Sequence, residues 1–405
     1  MPLIRPFAGL RPVAGHAEDV VAPPYDVLST AEARVRAAGR PWSFLHISKP
    51  EIDFPEATDP HAPEVYERAA TNLQNMLQQG ILVRDSEPCY YIYRLVMGAH
   101  HQTGLVAAAS VAAYDSNRIR KHEFTRPDKE DDRVHQIEAL NAQTGPVLLA
   151  YESRADVDTL LEALTDCEPD VDLRADDGVG HCLWVIRDQA LIEQISSAFD
   201  VMKTLYIADG HHRSAAASRV AANRPGSEAA GWFLTVIFPH RQMQILDYNR
   251  VVRDLAGYSA DSFLVRVRER FQLMPSAVAV HPQGPGNFGM YLAGQWYRLL
   301  IHPELIPSDP VGRLDVSLLA DHLLAPVLGI IDPRRDTRID FVGGIRGLPE
   351  LEKRVDNGEM AVAFSMYATR MEDLMAVADA GEVMPPKSTW FEPKLADGLV
   401  SLVLD

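Results

Sequence analysis

The stretch that most constrains this chain is residues 205–213, Leu-Tyr-Ile-Ala-Asp-Gly-His-His-Arg. Its first three residues are an apolar run with the size and β-preference of a short buried strand. Asp209 and Gly210 follow with turn chemistry. The residues after Arg213, Ser-Ala-Ala-Ala-Ser-Arg-Val-Ala-Ala, are good helix formers. The sequence therefore predicts a strand that turns directly into a helix, with a polar cluster at the turn.

This turn has the chemistry of an anion site. A helix start offers unpaired N–H groups and the positive end of a dipole, which suits phosphate. Gly210 lets the backbone approach the anion, Arg213 can donate to two phosphate oxygens, and imidazoles can exchange a proton. The alternative is an ordinary Asp-Gly turn with structural histidines. We predict catalytic roles for Asp209, His211 and His212, and anion binding by Gly210, Arg213 and Ser214.

Charge and composition limit the possible partners. The 405-residue chain is long enough for two domains, and its net charge of −17 argues against a general binder of nucleic acid or of anionic membranes. Its three cysteines lack metal-ligand spacing, no phosphate loop of the P-loop type is present, and we predict no metal ligands. With neither a transmembrane run nor a signal-peptide core, we expect a cytoplasmic protein.

A second unusual stretch, residues 118–133, holds six basic and five acidic residues. Such a run is commonly a solvated helix face. Pro127 interrupts the helical pattern, however, and mixed charges also fit a site that holds a phosphate beside a carboxylate base. The carboxylates available as that base are Glu123 and Glu130. The predicted phosphate-binding residues are Lys121, Arg126, Lys129 and Arg133.

Two proline-rich segments remain open to two interpretations. Residues 20–27 read as extended chain. Tyr25 and Asp26 could line a pocket there, or the segment could be a rigid strap. Near the other end, residues 384–394 also read as extended. Either they form a strap, or Lys387, Ser388 and Thr389 bind an anionic ligand.

Strands alternate with helices from 147 to 238, which predicts an α/β arrangement, and a fresh pattern begins near 250. We predict an α/β, mixed α+β fold with domains at 1–245 and 246–405. Within the first domain, residues 44–47 predict a short strand. The oligomeric state is left open.

Four motifs, at 22–27, 121–133, 206–213 and 384–389, together resemble the domain of unknown function 1015 family over nearly the full length. The Asp-Gly-His-His-Arg turn also resembles, locally, the Gly-x-x-Arg turn of the ParB and sulfiredoxin superfamily. That resemblance implies a nucleotide-binding core followed by a second α+β domain, with phosphates facing Gly210, His211, His212 and Arg213. Sulfiredoxin has its reactive cysteine in this turn, where this chain has histidine.

The superfamily also includes CTP-hydrolysing clamps and an archaeal ADP-dependent kinase of free serine. That kinase uses a glutamate as base, and the resemblance implies Glu123 for this role here. The resemblance therefore implies phosphoryl transfer on a small metabolite, with serine or phosphoserine favoured, in the kinase or the phosphatase direction. It also implies a nucleotide, ADP or ATP, with Mg²⁺ as a further candidate. The alternatives are a nucleotide-binding regulatory module and a non-enzymatic metabolite binder.

Overall fold

The computed structural model describes residues 2–405, which form two compact units. The first unit runs to Met243 and takes in Pro393–Asp405, and the second is Gln244–Glu392. The sequence had placed the whole of 246–405 in one C-terminal domain. The chain instead returns to the first unit for its last segment. The mixed α+β class is confirmed by the strands and helices of the two units.

The strands are short, and most lie in two sheets. They are β1 (Ile4–Arg5), β2 (Leu10–Pro12), β3 (Leu82–Arg84), β4 (Tyr90–Met97), β5 (His100–Ser110), β6 (Ile119–Arg120), β7 (Ala142–Gln143), β8 (Val147–Tyr151), β9 (Val171–Arg174), β10 (Gly180–Ile186), β11 (Leu205–Asp209), β12 (Trp232–Pro239), β13 (Gln244–Leu246), β14 (Tyr248–Val252), β15 (Phe271–Ser276), β16 (Asn287–Leu292), β17 (Gln295–Ile301), β18 (Ile339–Gly343), β19 (Val362–Ser365), β20 (Trp390–Glu392) and β21 (Leu402–Val403).

The α-helices are mostly short as well. They are α1 (Ala17–Val20), α2 (Thr30–Ala37), α3 (Leu45–Ser48), α4 (Pro63–Gln78), α5 (Val111–Asp115), α6 (Pro127–Leu140), α7 (Ala155–Ala163), α8 (Gln189–Asp200), α9 (His211–Asn223), α10 (Ala260–Arg268), α11 (Asp315–Leu319), α12 (Leu348–Asp356) and α13 (Met371–Asp379). Over residues 2–405, none is long and apolar enough to cross a membrane.

The first unit is built on a nine-stranded mixed sheet in the order β6-β11-β8-β12-β5-β4-β10-β9, with β1 also paired to β5. Its central strands are near-continuous apolar runs, as expected when both faces are covered. One core cluster joins strand residues such as Leu105 and Leu149 to helix residues such as Ile195 of α8. A second cluster packs α2, α3 and α4 around Phe44 and Leu73.

The second unit contains a six-stranded antiparallel sheet in the order β15-β17-β16-β19-β14-β18. A separate two-stranded ribbon pairs β13 with β20, so Gln244 lies opposite Glu392. The two ends of this unit are therefore neighbours in one ribbon.

The last segment of the chain is held to the first unit by backbone hydrogen bonds. Strand β21 pairs with β7, and a β-bridge joins Asp397 to Ala22 through hydrogen bonds of 2.9 and 3.1 Å. This bridge fixes the backbone of Asp397 beside the segment that carries Tyr25.

The predicted strand at 44–47 is wrong, because Leu45–Ser48 is the helix α3. Leu45 and Ile47 are both buried. A short apolar run has no periodicity that separates a strand from a buried helical turn.

Candidate functional site

The strand–turn–helix unit lies where the sequence predicted it. Strand β11 ends at Asp209 after a bulge, Gly210 adopts a left-handed conformation with φ of 100°, and α9 begins at His211. A Cβ at Gly210 would lie 3.1 to 3.3 Å from the guanidinium of Arg213. Within residues 2–405, no side chain caps this helix start. The first-turn N–H groups are therefore left for water or for a ligand.

Arg213 extends from this first turn into the interior. Its Nη1 donates to the backbone carbonyl of Pro146. Its carboxylate contacts, among the described residues, are Asp209 at 3.7 Å and Asp26 at 3.9 Å, both beyond hydrogen-bond distance. Burial opposes the charge, but these carboxylates raise the pKa of Arg213 above its ordinary value. Arg213 is therefore a buried cation that has two carboxylates nearby but no hydrogen bond to either of them.

Asp209 lies between two cations. Its carboxylate is 3.7 Å from Arg213 and 3.6 Å from Lys394. Burial alone would raise its pKa, but Lys394 and Arg213 lower the pKa of Asp209 to about 2. A carboxyl group that stays ionised at neutral pH cannot act as a general acid. These contacts favour a positioning role for Asp209.

His211 is buried beside His122 and Glu123. The rings of His122 and His211 meet edge to face, with centroids 4.4 Å apart. Nε2 of His211 accepts the backbone N–H of His122 at 3.3 Å, and its Nδ1 lies 3.8 Å from the Glu123 carboxylate. Burial, reinforced by His122, holds the pKa of His211 well below its ordinary value. The buried ring is therefore neutral, with its proton on Nδ1, toward Glu123.

His122, Glu123 and His211 also offer one donor atom each within 4.8 Å of one another. The sequence spacing did not reveal this group, because His211 comes from a distant helix. Two imidazoles and a carboxylate suit a transition metal such as zinc better than Mg²⁺, which prefers oxygen ligands. Ligation by His211 would break its hydrogen bond with the His122 backbone, since a neutral imidazole has only one nitrogen lone pair.

His212 points toward the charged stretch. Its Nε2 accepts the backbone N–H of Arg126 at 3.1 Å. Burial lowers its pKa, with Glu130 opposing this and Arg126 adding to it. Both histidines of the pair therefore contact the 122–126 segment.

The predicted phosphate-binding residues of the charged stretch do not converge. Lys121 lies over the Tyr114 ring at 3.7 Å, Arg126 is exposed and paired with Asp128, and Lys129 is exposed. Arg133 instead reaches the interior beside Arg213. Lys121 and Arg126 precede α6, which begins at Pro127. Lys129 lies in the first turn of this helix, and Arg133 lies one turn further along, where it lines a polar cleft.

Ser214, predicted to bind the anion, is completely buried and donates to the backbone carbonyl of His211 at 3.0 Å. Ser214 is therefore a side chain packed inside the fold.

The predicted tail residues lie in the second unit. The carbonyl of Lys387 accepts from Arg250, its Nζ is 5.6 Å from the centre of the Tyr248 ring, and Ser388 donates to the Pro385 carbonyl at 2.5 Å. Thr389 directly follows. These contacts belong to the second unit, and anion binding by Lys387, Ser388 and Thr389 stays a prediction.

A polar cleft of about 420 Å³, including its open mouth, lies in the first unit. Arg133 stacks its guanidinium 3.9 Å from the centre of the Tyr25 ring and donates twice to Asp132. Arg213 and Asp397 also line the cleft. The complete lining is Tyr25, Ser48, Arg133, Gln136, Ile137, Ala142, Gln143, Thr144, Gly145, Arg213 and Asp397.

Two buried polar atoms in this cleft have no hydrogen-bond partner within the described chain. They are Oδ1 of Asp397 and Oγ of Ser48, in residues that are 1% and 5% exposed. The other oxygen of Asp397 accepts the backbone N–H of Tyr25 at 3.3 Å. Burial raises the pKa of Asp397 to about 7 despite the nearby Arg213. Sequence analysis missed both residues, although Asp397 precedes a glycine exactly as Asp209 does.

The family model described as "Protein of unknown function (DUF1015)" matches residues 4–317, which is more than half of the chain. The chain therefore belongs to the DUF1015 family, as the motifs predicted. No curated protein matches it.

Several solved structures are similar to this chain at low identity. A free serine kinase in complex with AMP is 13% identical, with 71% of this chain and 86% of that chain covered and a TM-score of 0.35. A conserved hypothetical protein from Pyrococcus furiosus is 14% identical; the similarity covers 72% of this chain and 93% of that chain, with a TM-score of 0.35. SbnI with a C-terminal truncation, from Staphylococcus aureus, is 12% identical; the similarity covers 73% of this chain and 87% of that chain, with a TM-score of 0.39. At this level of similarity, the activities of those proteins carry no argument about this one.

Proposed function

We propose that this protein is a phosphoryl-transfer enzyme that acts on a small hydroxylated or phosphorylated metabolite and binds a phosphate group at the first turn of α9. The observation that carries the proposal is Arg213. Its buried guanidinium lies beside an uncapped helix start, with no carboxylate of residues 2–405 recorded within hydrogen-bond distance. Helix N–H groups and arginine together stabilise the charge of a transferring phosphoryl group.

Glu123 is the proposed base. Its side chain is about half exposed, so substrate can reach it, and it lies 3.8 Å from Nδ1 of His211. In the kinase direction, Glu123 takes the proton of the attacking hydroxyl while the phosphoryl group moves from the nucleotide to that oxygen. The neutral His211 has Nδ1 3.8 Å from that carboxylate, and Asp209 lies 3.7 Å from Arg213, so both act on their neighbours through electrostatic attraction rather than through a hydrogen bond.

His212 is the proposed second proton-transfer group. It is half-buried, and its Nε2 accepts from the Arg126 backbone, which leaves Nδ1–H in the neutral ring as a donor. Such a donor can serve a leaving-group oxygen. Arg126 and Lys129, which flank this histidine, are exposed and could reach a nucleotide phosphate.

Serine and phosphoserine are the favoured substrates, and ADP or ATP with Mg²⁺ the favoured co-reactants, on the local resemblance of the Asp-Gly-His-His-Arg turn. In the phosphatase direction the same base would take a proton from water, which attacks the phosphoryl group of the substrate and releases phosphate and the free hydroxyl. The proposal therefore names the residues and the class of reaction, and the measurement below distinguishes a kinase from a phosphatase.

The test is turnover by the full chain, followed as AMP, ADP or phosphate release with serine or phosphoserine, with and without Mg²⁺. Glu123→Gln and His212→Ala should each lower turnover by at least about 100-fold, the usual scale of general acid–base catalysis. Glu193→Gln, on the exposed face of α8, is the matched control and should turn over normally. Unchanged rates in both site variants would overturn the residue assignment. A ligand that raises the melting temperature of the wild type without any turnover would favour the non-enzymatic binder.

A further inference from the structure

The cleft beside Arg213 contains opposite charges that do not satisfy each other. Oδ1 of Asp397 is buried without a hydrogen-bond partner in the described chain, while Arg213 has carboxylates only at 3.7 and 3.9 Å. Leaving a buried polar group unpaired is costly, and natural proteins keep few of them. A buried, unpaired carboxylate oxygen that lines a cleft is therefore a strong indication of a ligand.

Gly145 shows that Asp397 and Arg213 border the same space. A Cβ built on Gly145 would lie 3.5 Å from Oδ1 of Asp397 and 3.8 Å from Nη1 of Arg213. These are ordinary contact distances, so a methyl group added to Gly145 would touch both side chains. The carboxylate and the guanidinium are therefore neighbours beside Gly145 in the lining of the cleft.

The charges decide what kind of ligand fits. An anion alone in the cleft would leave Oδ1 of Asp397 unpaired, because a phosphate or carboxylate without a bound proton cannot donate a hydrogen bond to that oxygen. A metal cation or an amine alone would meet the guanidiniums of Arg213 and Arg133. A molecule with an ammonium group and an acid group a few ångströms apart satisfies both sides.

We propose that the cleft lined by Asp397, Arg213 and Ser48 binds a small α-amino acid as its zwitterion. The ammonium group donates to Oδ1 of Asp397, and the carboxylate accepts from Arg213. The unpartnered Oγ of Ser48 then meets a polar side chain of the ligand. This deepens the proposed function by naming the substrate class, and it rests on that function only for the reaction that follows binding.

Binding of amino acids to the full chain, without nucleotide, tests the inference. Calorimetry with L-serine and L-alanine should give saturable binding. Ethanolamine, which lacks the carboxylate, and glycolate, which lacks the ammonium, should each bind at least about 100-fold more weakly, because each leaves a buried charge unpaired. Equal affinity for glycolate and serine would overturn the proposal, and so would no binding of any amino acid.

Two variants locate the binding. Asp397→Asn keeps an acceptor for the Tyr25 N–H but loses the charge, so it should lose serine binding while remaining at least as resistant to heat as the wild type. A merely structural Asp397 would give the opposite result, lower resistance and unchanged binding. Gly145→Ala should fill the space and also abolish binding. The matched controls are Asp166→Asn, at an exposed site, and Gly231→Ala, whose Cβ would meet nothing within 4 Å.

The same measurements separate this inference from the proposed reaction. Serine binding that depends on Asp397, without any phosphoryl transfer, supports the inference and contradicts the proposed function. Phosphoryl transfer to serine that is unaffected in Asp397→Asn supports the function and overturns the inference.

Discussion

The hydroxyl of Tyr93 lies 2.6 Å from Nδ1 of His181, and both residues are buried. The same hydroxyl accepts the backbone N–H of Ala396 at 3.3 Å, and its own proton remains available for a hydrogen bond with His181. Two strands of the main sheet, β4 and β10, are thereby joined to the segment that carries Asp397. The position of the proposed ammonium-binding carboxylate depends on this buried chain of hydrogen bonds.

Tyr93→Phe should lower the free energy of unfolding by about 2 kcal/mol, because it leaves His181 and the Ala396 N–H unpaired in the interior. Urea denaturation measures this change. Tyr90→Phe is the matched control: its hydroxyl bonds the hydroxyl of Ser196, and a smaller loss is expected there. Equal losses in the two variants would contradict the importance of the Tyr93 contact.

His181 should make the protein less stable in acid. Burial lowers the pKa of His181 to about 4, from its ordinary value of 6.5. The unfolded chain therefore binds the proton more readily, and this contribution to stability is lost as the pH falls from about 6.5 to about 4. His181→Asn should lose less stability than the wild type over that interval. Parallel curves from equilibrium denaturation at several pH values would refute the assignment.

Asp315, in the second unit, should act in the opposite direction. One of its oxygens accepts the Gly286 N–H at 2.7 Å, whereas Oδ2 is buried without a partner in the part of the chain described. Burial raises the pKa of Asp315 to about 7, so the folded state holds the proton more tightly than the unfolded state. Stability from this group is fully present below the ordinary pKa of 3.8 and is lost as the pH rises from there to about 7. Asp315→Asn keeps the acceptor and should flatten the pH dependence, which denaturation at pH 5 and pH 8 will show.

Gly210→Ala should both destabilise the fold and disturb the site. A side chain at a φ of 100° costs about 1–2 kcal/mol, and the new Cβ would crowd the Arg213 guanidinium at 3.1 to 3.3 Å. Chemical denaturation measures the first effect, and the thermal shift caused by nucleotide measures the second. Gly231→Ala, which meets neither constraint, should leave both values near those of the wild type. Normal nucleotide binding by Gly210→Ala would separate the turn from the ligand.

The local parts of the site could be predicted from the sequence. Residues 205–213 predicted the strand, the glycine turn and the helix, because each of these depends on neighbours in the chain. Pro127 was harder to interpret: it looks like an interruption of the charged helix, but it occupies the first helical position, where its missing N–H has no consequence. The charged stretch is therefore mostly a helix, and of its four predicted phosphate-binding residues Arg133 lines the cleft.

The distant parts could not be predicted, for a physical reason. Asp397 and Ser48 are candidate ligand contacts because each has a buried oxygen without a hydrogen-bond partner in the described chain. Burial and hydrogen bonding of this kind are defined only once the chain has folded. The Ala-Asp-Gly sequence at 396–398 looks like any surface turn. Likewise, the approach of His122 to His211 depends on the parallel pairing of β6 with β11, which aligns residues far apart in the sequence.

The ribbon formed by β13 and β20 has a consequence for how this protein can change. Because Gln244 and Glu392 lie opposite one another, the chain that connects them begins and ends at the same place in this ribbon. Insertions, deletions or replacement of residues 244–392 therefore need not change the length of any loop within the first unit, which contains the cleft. The second unit can therefore vary in sequence and length while Met243 and Pro393, the residues that flank it, keep their positions.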